Sequence, residues 1–181
     1  FYLGLNNLNG THTGATFNLA TGTLLAPNGG AHTFTGCTFT GAGDFGSAGN
    51  ATVSTFSGNT YAGTLGFAVY QNSTFTLGQN LTATRYNQDG GTLKGAGDLT
   101  LTGNMNLTGG AISNAGNWSV GGTLSWSNAT FGGTGTATIN GAATLNSGCT
   151  LSARTLALAG GGTVATNTPV YTNTSADLVI P

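Results

Sequence analysis

Leu99-Thr100-Leu101-Thr102-Gly103-Asn104-Met105-Asn106-Leu107 and, 19 residues later, Trp118-Ser119-Val120-Gly121-Gly122-Thr123-Leu124-Ser125-Trp126 are two copies of one pattern. In each copy apolar residues stand two apart, then a turn of small residues intervenes, then apolar residues again stand two apart. Period-two alternation is the signature of a strand with one buried face. The pattern recurs twice more, so that Leu99, Trp118, Ala137 and Leu156 form one column and Leu101, Val120, Ile139 and Leu158 a second. Leu107, Trp126, Leu145 and Val164 form a third, and Met105, Leu124, Ala143 and Gly162 a weaker fourth. Leu93, Ile112 and Phe131 align between them, and Gly97, Gly116 and Gly135 mark a shared turn.

Each unit therefore holds about three short strands separated by Gly- or Asn-containing turns. A strand of three or four residues cannot bury an apolar face by itself. Stacked units, however, give every strand a partner above and below and enclose a continuous interior. The fold expected is an all-β parallel β-helix, a β-solenoid of about 19 residues per coil. At a rise of ~4.8 Å per coil, eight or nine coils make a rod roughly 40 Å long.

Outside the regular coils, at about 90–165, the repeat is looser. Phe75, Leu77, Leu81 and Ala83 align with Leu99, Leu101, Met105 and Leu107 at a spacing of 24, which assigns five extra residues to this coil around Arg85-Tyr86-Asn87-Gln88-Asp89. Phe39-Thr40-Gly41-Ala42-Gly43-Asp44-Phe45 copies Leu93-Lys94-Gly95-Ala96-Gly97-Asp98-Leu99, so residues 15–89 are read as the same unit in less regular form. The columns do not extend across residues 45–75. The whole of 1–181 is read as one domain, with 1–14 and 166–181 as terminal segments suited to assembly.

Composition agrees with a solenoid and excludes much else. Only 4% of residues are charged, against about 25% in an average soluble domain, and Glu is absent. A helical protein draws on Glu, Lys, Gln and Arg for its exposed faces. Disorder is excluded by nine Phe, five Tyr, two Trp and a net charge of −1. Three cations cannot form the basic surface that nucleic acid requires, and no apolar run approaches the ~20 residues of a membrane span. In a stacked ladder like charges would repel, so a neutral exterior of small residues follows from the repeat itself. The start at Phe1, without Met or an apolar leader, fits a processed product or a piece of a larger protein.

Gly122-Thr123-Leu124-Ser125-Trp126-Ser127 and Gly133-Thr134-Gly135-Thr136-Ala137-Thr138-Ile139, with their 19-residue period, resemble the repeats of large bacterial surface adhesins of the filamentous-haemagglutinin and autotransporter type. The resemblance covers residues 90 to 165 well and the rest loosely. It implies a right-handed parallel β-helix projecting from a cell as a rod, secreted or surface-bound, and it carries no catalytic signature.

Individual residues suggest few sites. Cys37 and Cys149 lie two before Phe39 and Leu151 and should point inward as small hydrophobes, too many coils apart for a disulfide. His12 and His32 have no Cys or Glu partner at metal-ligand spacing and are read as surface or turn residues. Asp44 and Asp98 occupy the same place in Gly-Ala-Gly-Asp and are expected to cap turn amides. Asn-x-Ser/Thr sequons, such as those beginning at Asn50, Asn72, Asn80, Asn106, Asn117, Asn128 and Asn173, carry no weight in a chain so rich in these residues. Asn106, Ser125, Thr144 and Thr163 form an outward ladder without the regular double Thr column of an ice-binding face.

The candidate recognition loop is Arg85, Tyr86, Asn87, Gln88 and Asp89 with Lys94, because a loop that interrupts a solenoid often carries its binding function. Candidate assembly contacts are Phe1, Tyr2, Leu3, Leu178, Val179 and Ile180, apolar segments able to extend a neighbour's sheet. No catalytic, metal or cofactor residue is assigned. The expected function is an extracellular structural or adhesive rod that self-associates end to end or continues into further repeats, with a host or matrix glycan as a partner. The alternatives are a secreted binding module for glycan or ice and, more remotely, a β-helical carbohydrate-active enzyme, for which four Asp are poor provision.

Overall fold

Short strands with one inward face, placed one coil apart, stack in parallel throughout. A computed structural model describes residues 2–6, 9–50, 52–164, 171–172 and 175–180. All its strand pairs are parallel, and no described residue is helical. Tyr86 pairs with Met105, Met105 with Leu124, Leu124 with Ala143, and Ala143 with Gly162, each a step of 19. On another side Leu99 pairs with Trp118 and Val120 with Ile139. The fold is a parallel β-solenoid, as the columns require.

The coil has three sides. The first runs from Tyr2–Asn6 through Leu24–Asn28, Asp44–Ser47 and the opening of Gly66–Leu77 to Gly162–Val164, nine strands in one ladder. The second begins with Gly10–Thr13, Ala31–Thr35 and Val53–Ser57. The strands Gly66–Leu77 and Arg85–Gly95 bend across both sides and join them into one sheet of 16 strands. The third side is split between Thr16–Leu19, Thr38–Gly41 and Thr60–Tyr61, and a six-stranded ladder from Leu81–Ala83 to Asp177–Val179. Across that break the Gln79 side chain bonds the Asn59 backbone in both directions, donating from Nε2 to the carbonyl at 2.7 Å and accepting from the amide at Oε1. A side-chain amide thus takes over from the backbone ladder where strand pairing fails.

The interior is one apolar column. Leu101, Leu107, Trp118, Val120, Trp126, Ile139, Leu145 and Leu158 are all buried. Toward the N-terminal end the filling is aromatic, with His12, Phe34, Phe56 and Phe75 stacked face to face at 4.5, 4.5 and 4.6 Å. His12 and His32 are therefore on strands and not in turns, and His32 is buried. An imidazole facing inward at this level stacks like the phenylalanines above it. Cys37 and Cys149 are buried free thiols. Burial pushes the Cys149 thiol up to about 11, and the thiol donates to the Trp126 and Asn146 carbonyls, each at 3.1 Å.

Corners are fixed by two devices. At one, Asn80 Oδ1 accepts from the Asp98 amide, Asp98 Oδ1 from the Asn117 amide and Asn117 Oδ1 from the Thr136 amide, at 2.9, 2.8 and 3.0 Å. Asp98 thus caps a backbone amide as expected, but on the next coil. By the second, acting one residue earlier at the same corner, a Cβ on Gly116 would collide with the Gly97 carbonyl, and one on Gly135 with that of Gly116, so the glycine column is a column of close backbone approach.

Three expectations are corrected. The spacing of 24 does not occur: Phe75 pairs with Leu93, Leu81 with Leu99 and Ala83 with Leu101, each a step of 18. Alternation is the same on every side of the coil, so aligning apolar pairs alone matched one side to its neighbour. The five surplus residues consequently vanish, and Arg85–Gly95 is a strand instead of a loop. Likewise, the turn at Gly41-Ala42-Gly43-Asp44 leads from the third side to the first, whereas Gly95-Ala96-Gly97-Asp98 leads from the second to the third. Both turns direct two successive amides at one carbonyl on the coil below, Leu19 and Leu77 respectively. The sequence copy is a reused corner, one side out of phase.

Candidate functional site: a groove on the first side

Outward residues of the regular coils are small and neutral, as in the register Asn106, Ser125, Thr144 and Thr163. The exterior departs from this uniformity on the first side, between residues 24 and 89. Gly66 stands between Asp44 on the coil below and Arg85 on the coil above. Because Gly66 has no side chain, the Arg85 guanidinium reaches across it to Asp44 Oδ1 at 2.8 Å and to the Ala42 carbonyl at 3.3 Å. A Cβ at Gly66 would collide with both partners.

Four residues further along the same strand, Tyr70 lies half-buried, with Asp89 as its partner on the next coil. Burial raises the Tyr70 phenol above its ordinary range, and the Asp44 and Asp89 carboxylates add to the rise while Arg85 opposes it. Burial likewise raises the Asp44 carboxyl, against the pull of Arg85. Three of the seven formal charges of the chain, Asp44, Arg85 and Asp89, thus surround one tyrosine.

Beside Tyr70 opens a groove of about 340 Å³, lined by Leu24, Asn28, Ala48, Gly49, Tyr70 and Gln71. Its lining offers apolar surface from Leu24 and Ala48, an aromatic ring, and two side-chain amides. Gln71 has φ 55, in the left-handed region, at the corner where the first side turns into the second. Its partner on the coil above is Gly90, with φ 87, and Gly49 with φ 84 also lines the groove. A side chain at such a backbone position carries strain that glycine avoids.

The sequence-derived site residues divide sharply. Arg85 and Asp89 face outward beside Tyr70, and Asn87 Oδ1 accepts from Asn106 Nδ2 at 3.0 Å on the outer ladder. Tyr86 and Gln88 point inward and are buried, the tyrosine hydroxyl donating to Gln88 Oε1 at 2.6 Å. Gln88 Nε2 in turn donates to the Ala111 and Gly91 carbonyls at 3.1 and 3.3 Å. Lys94 is exposed on the second side, on the stretch paired with Thr74–Leu77. The six residues therefore form no single surface: alternation along a strand sends neighbours to opposite faces.

Asn28, Tyr70 and Gln71 carry no signal in the sequence, where Asp44 stands only as a turn residue. Their register lies partly in 45–75, where the columns fail. Of the assembly residues, Phe1 lies outside the described residues, and the backbone of Tyr2 and Leu3 pairs with Leu24 and Leu25. Leu178 pairs with Leu156 and packs partly on the core, while Val179 and Ile180 are 49% and 48% exposed. Among the described residues no three potential metal ligands cluster, and no helix is long and apolar enough to cross a membrane. Comparison with protein-family models, curated proteins and solved structures finds no match.

Proposed function

We propose that this chain is a rigid length of an extracellular rod, structural or adhesive, which extends end to end and acts by surface binding without catalysis. The observation that carries this reading is the state of the two end coils. Among the described residues Tyr2–Asn6 pairs only with Leu24–Asn28, and Asp177–Val179 only with Thr155–Ala157. Among the described residues neither has a partner on its other edge, and both run in the parallel sense of the whole stack. Such edges are templates for strand addition, and exposed Val179 and Ile180 lie at one of them. The extender is another copy or further coils of the same kind. The near-neutral, small-residue exterior and the resemblance to surface adhesin repeats support placing the rod outside the cell.

Sedimentation velocity over a hundredfold concentration range tests the reading. The chain should grow into end-to-end oligomers, and removal of residues 176–181 should abolish growth while the coils from about 90 to 165 stay folded. A parent chain that remains monomeric throughout, or a truncated one that still polymerises, refutes it.

A further inference from the structure

We propose that the groove beside Tyr70 is a binding site for one neutral pyranose ring of a glycan. This deepens the adhesive reading and rests on it only for biological context.

The volume, about 340 Å³, falls at the small end of the ~300–1,000 Å³ typical of ligand sites, enough for one or two sugar rings and too little for a peptide segment. A pyranose has an apolar C–H face and a rim of hydroxyls. Tyr70, Leu24 and Ala48 supply apolar and aromatic surface for the face, and an aromatic ring with one polar end suits such an amphipathic ligand. Asn28 and Gln71 bring amides, each with donors and an acceptor, to the rim. No hydrogen bond among the described residues engages either side-chain amide or the Tyr70 hydroxyl.

The electrostatics select neutrality. Among the described residues Arg85 is the only cation that acts on Tyr70 and is already paired with Asp44, while Asp89 adds a carboxylate with no ion-pair partner. An anionic sugar would meet net negative charge there.

A second observation is independent of the groove's shape. Gln71 occupies a left-handed backbone position whose partner on the coil above is a glycine, Gly90. Glycine would relieve the strain, yet the chain places there a long amide that lines the groove. Of the four non-glycine residues at positive φ among the described residues, Gln71, Asn128, Ala153 and Ser175, only Gln71 lines the groove.

Saturation-transfer NMR with the neutral methyl pyranosides of glucose, galactose, mannose and N-acetylglucosamine, and with methyl glucuronide as the anionic arm, tests the site. At least one neutral pyranoside should receive saturation on its C–H face. Tyr70→Ala and Gln71→Gly should each weaken that binding at least tenfold, with Gln71→Gly melting no lower than the parent. Absence of transfer to every neutral pyranoside, transfer to the glucuronide alone, or unchanged binding in both variants overturns the proposal. Sedimentation of the same variants keeps the two readings apart, because neither substitution touches an end coil: sugar binding can fail while end-to-end growth persists, and the reverse.

Discussion

Trp126 stands between Leu107 below and Leu145 above in one inward column, fully buried, with its indole N–H donating to the Ala129 carbonyl at 3.0 Å. The stacked backbone on both sides is held at strand spacing and cannot collapse into a void. Trp126→Ala should therefore cost ~3 to 5 kcal/mol. Thr144, on the outward face one coil later, is exposed, and Thr144→Ala should fall within ~0.5 kcal/mol of the parent. Urea denaturation of the two variants checks the pair, and comparable losses would show inside and outside to be reversed.

His12 stacks on Phe34 at 4.5 Å and brings its Nε2 to 3.5 Å from His32 Nδ1. Burial first, then the neighbouring His32, hold the His12 pKa below the ordinary value of 6.5. The unfolded chain therefore takes up a proton at a higher pH than the folded one, and stability falls as pH drops through about 6.5. Melting temperature measured from pH 8 to pH 5, above the range where most carboxylates titrate, should decline toward acid. His12→Phe should flatten that decline, and an unchanged slope would refute the assignment.

Arg154 is buried, and among the described residues no carboxylate pairs with it. Its Nε donates to the Gly132 carbonyl at 2.9 Å, and Nη2 donates to those of Asn114 and Gly116, at 2.6 and 3.0 Å, so one side chain ties its own coil to the two below. The guanidinium also lies over the rings of Trp118 and Phe131, 5.6 and 5.0 Å from their centroids. Burial lowers its pKa to about 10, which leaves it charged at neutral pH. Arg154→Ala removes the donor from three buried carbonyls and opens a cavity, with an expected loss on the order of 3 to 5 kcal/mol. Arg154→Met, which refills the volume, should lose less. Equal stability of the alanine variant and the parent by denaturant titration would contradict this role.

The regular coils were legible because Trp118, Val120 and Ile139 recur at a spacing that backbone pairing imposes. The earlier coils were not, for a physical reason. On the second side Gly10 pairs with His32 and His32 with Ser54, steps of 22, while Thr74 pairs with Thr92 at 18. Corner lengths vary there, and a three-sided coil with the same alternation on each side offers false matches such as Phe75 with Leu99. The groove was hidden with them. Arg85 and Asp89 stand out in the sequence by their charge, but Tyr70 and Gln71 join them only through the folding of a stretch across which the apolar columns do not extend.

End-to-end extension is tested most directly by cryo-electron microscopy of the chain at high concentration. Rods longer than the roughly 40 Å of a single copy are expected, with the ~4.8 Å strand spacing running unbroken across each junction between copies. Particles of single-copy length at every concentration, with both sheet edges covered, would contradict it.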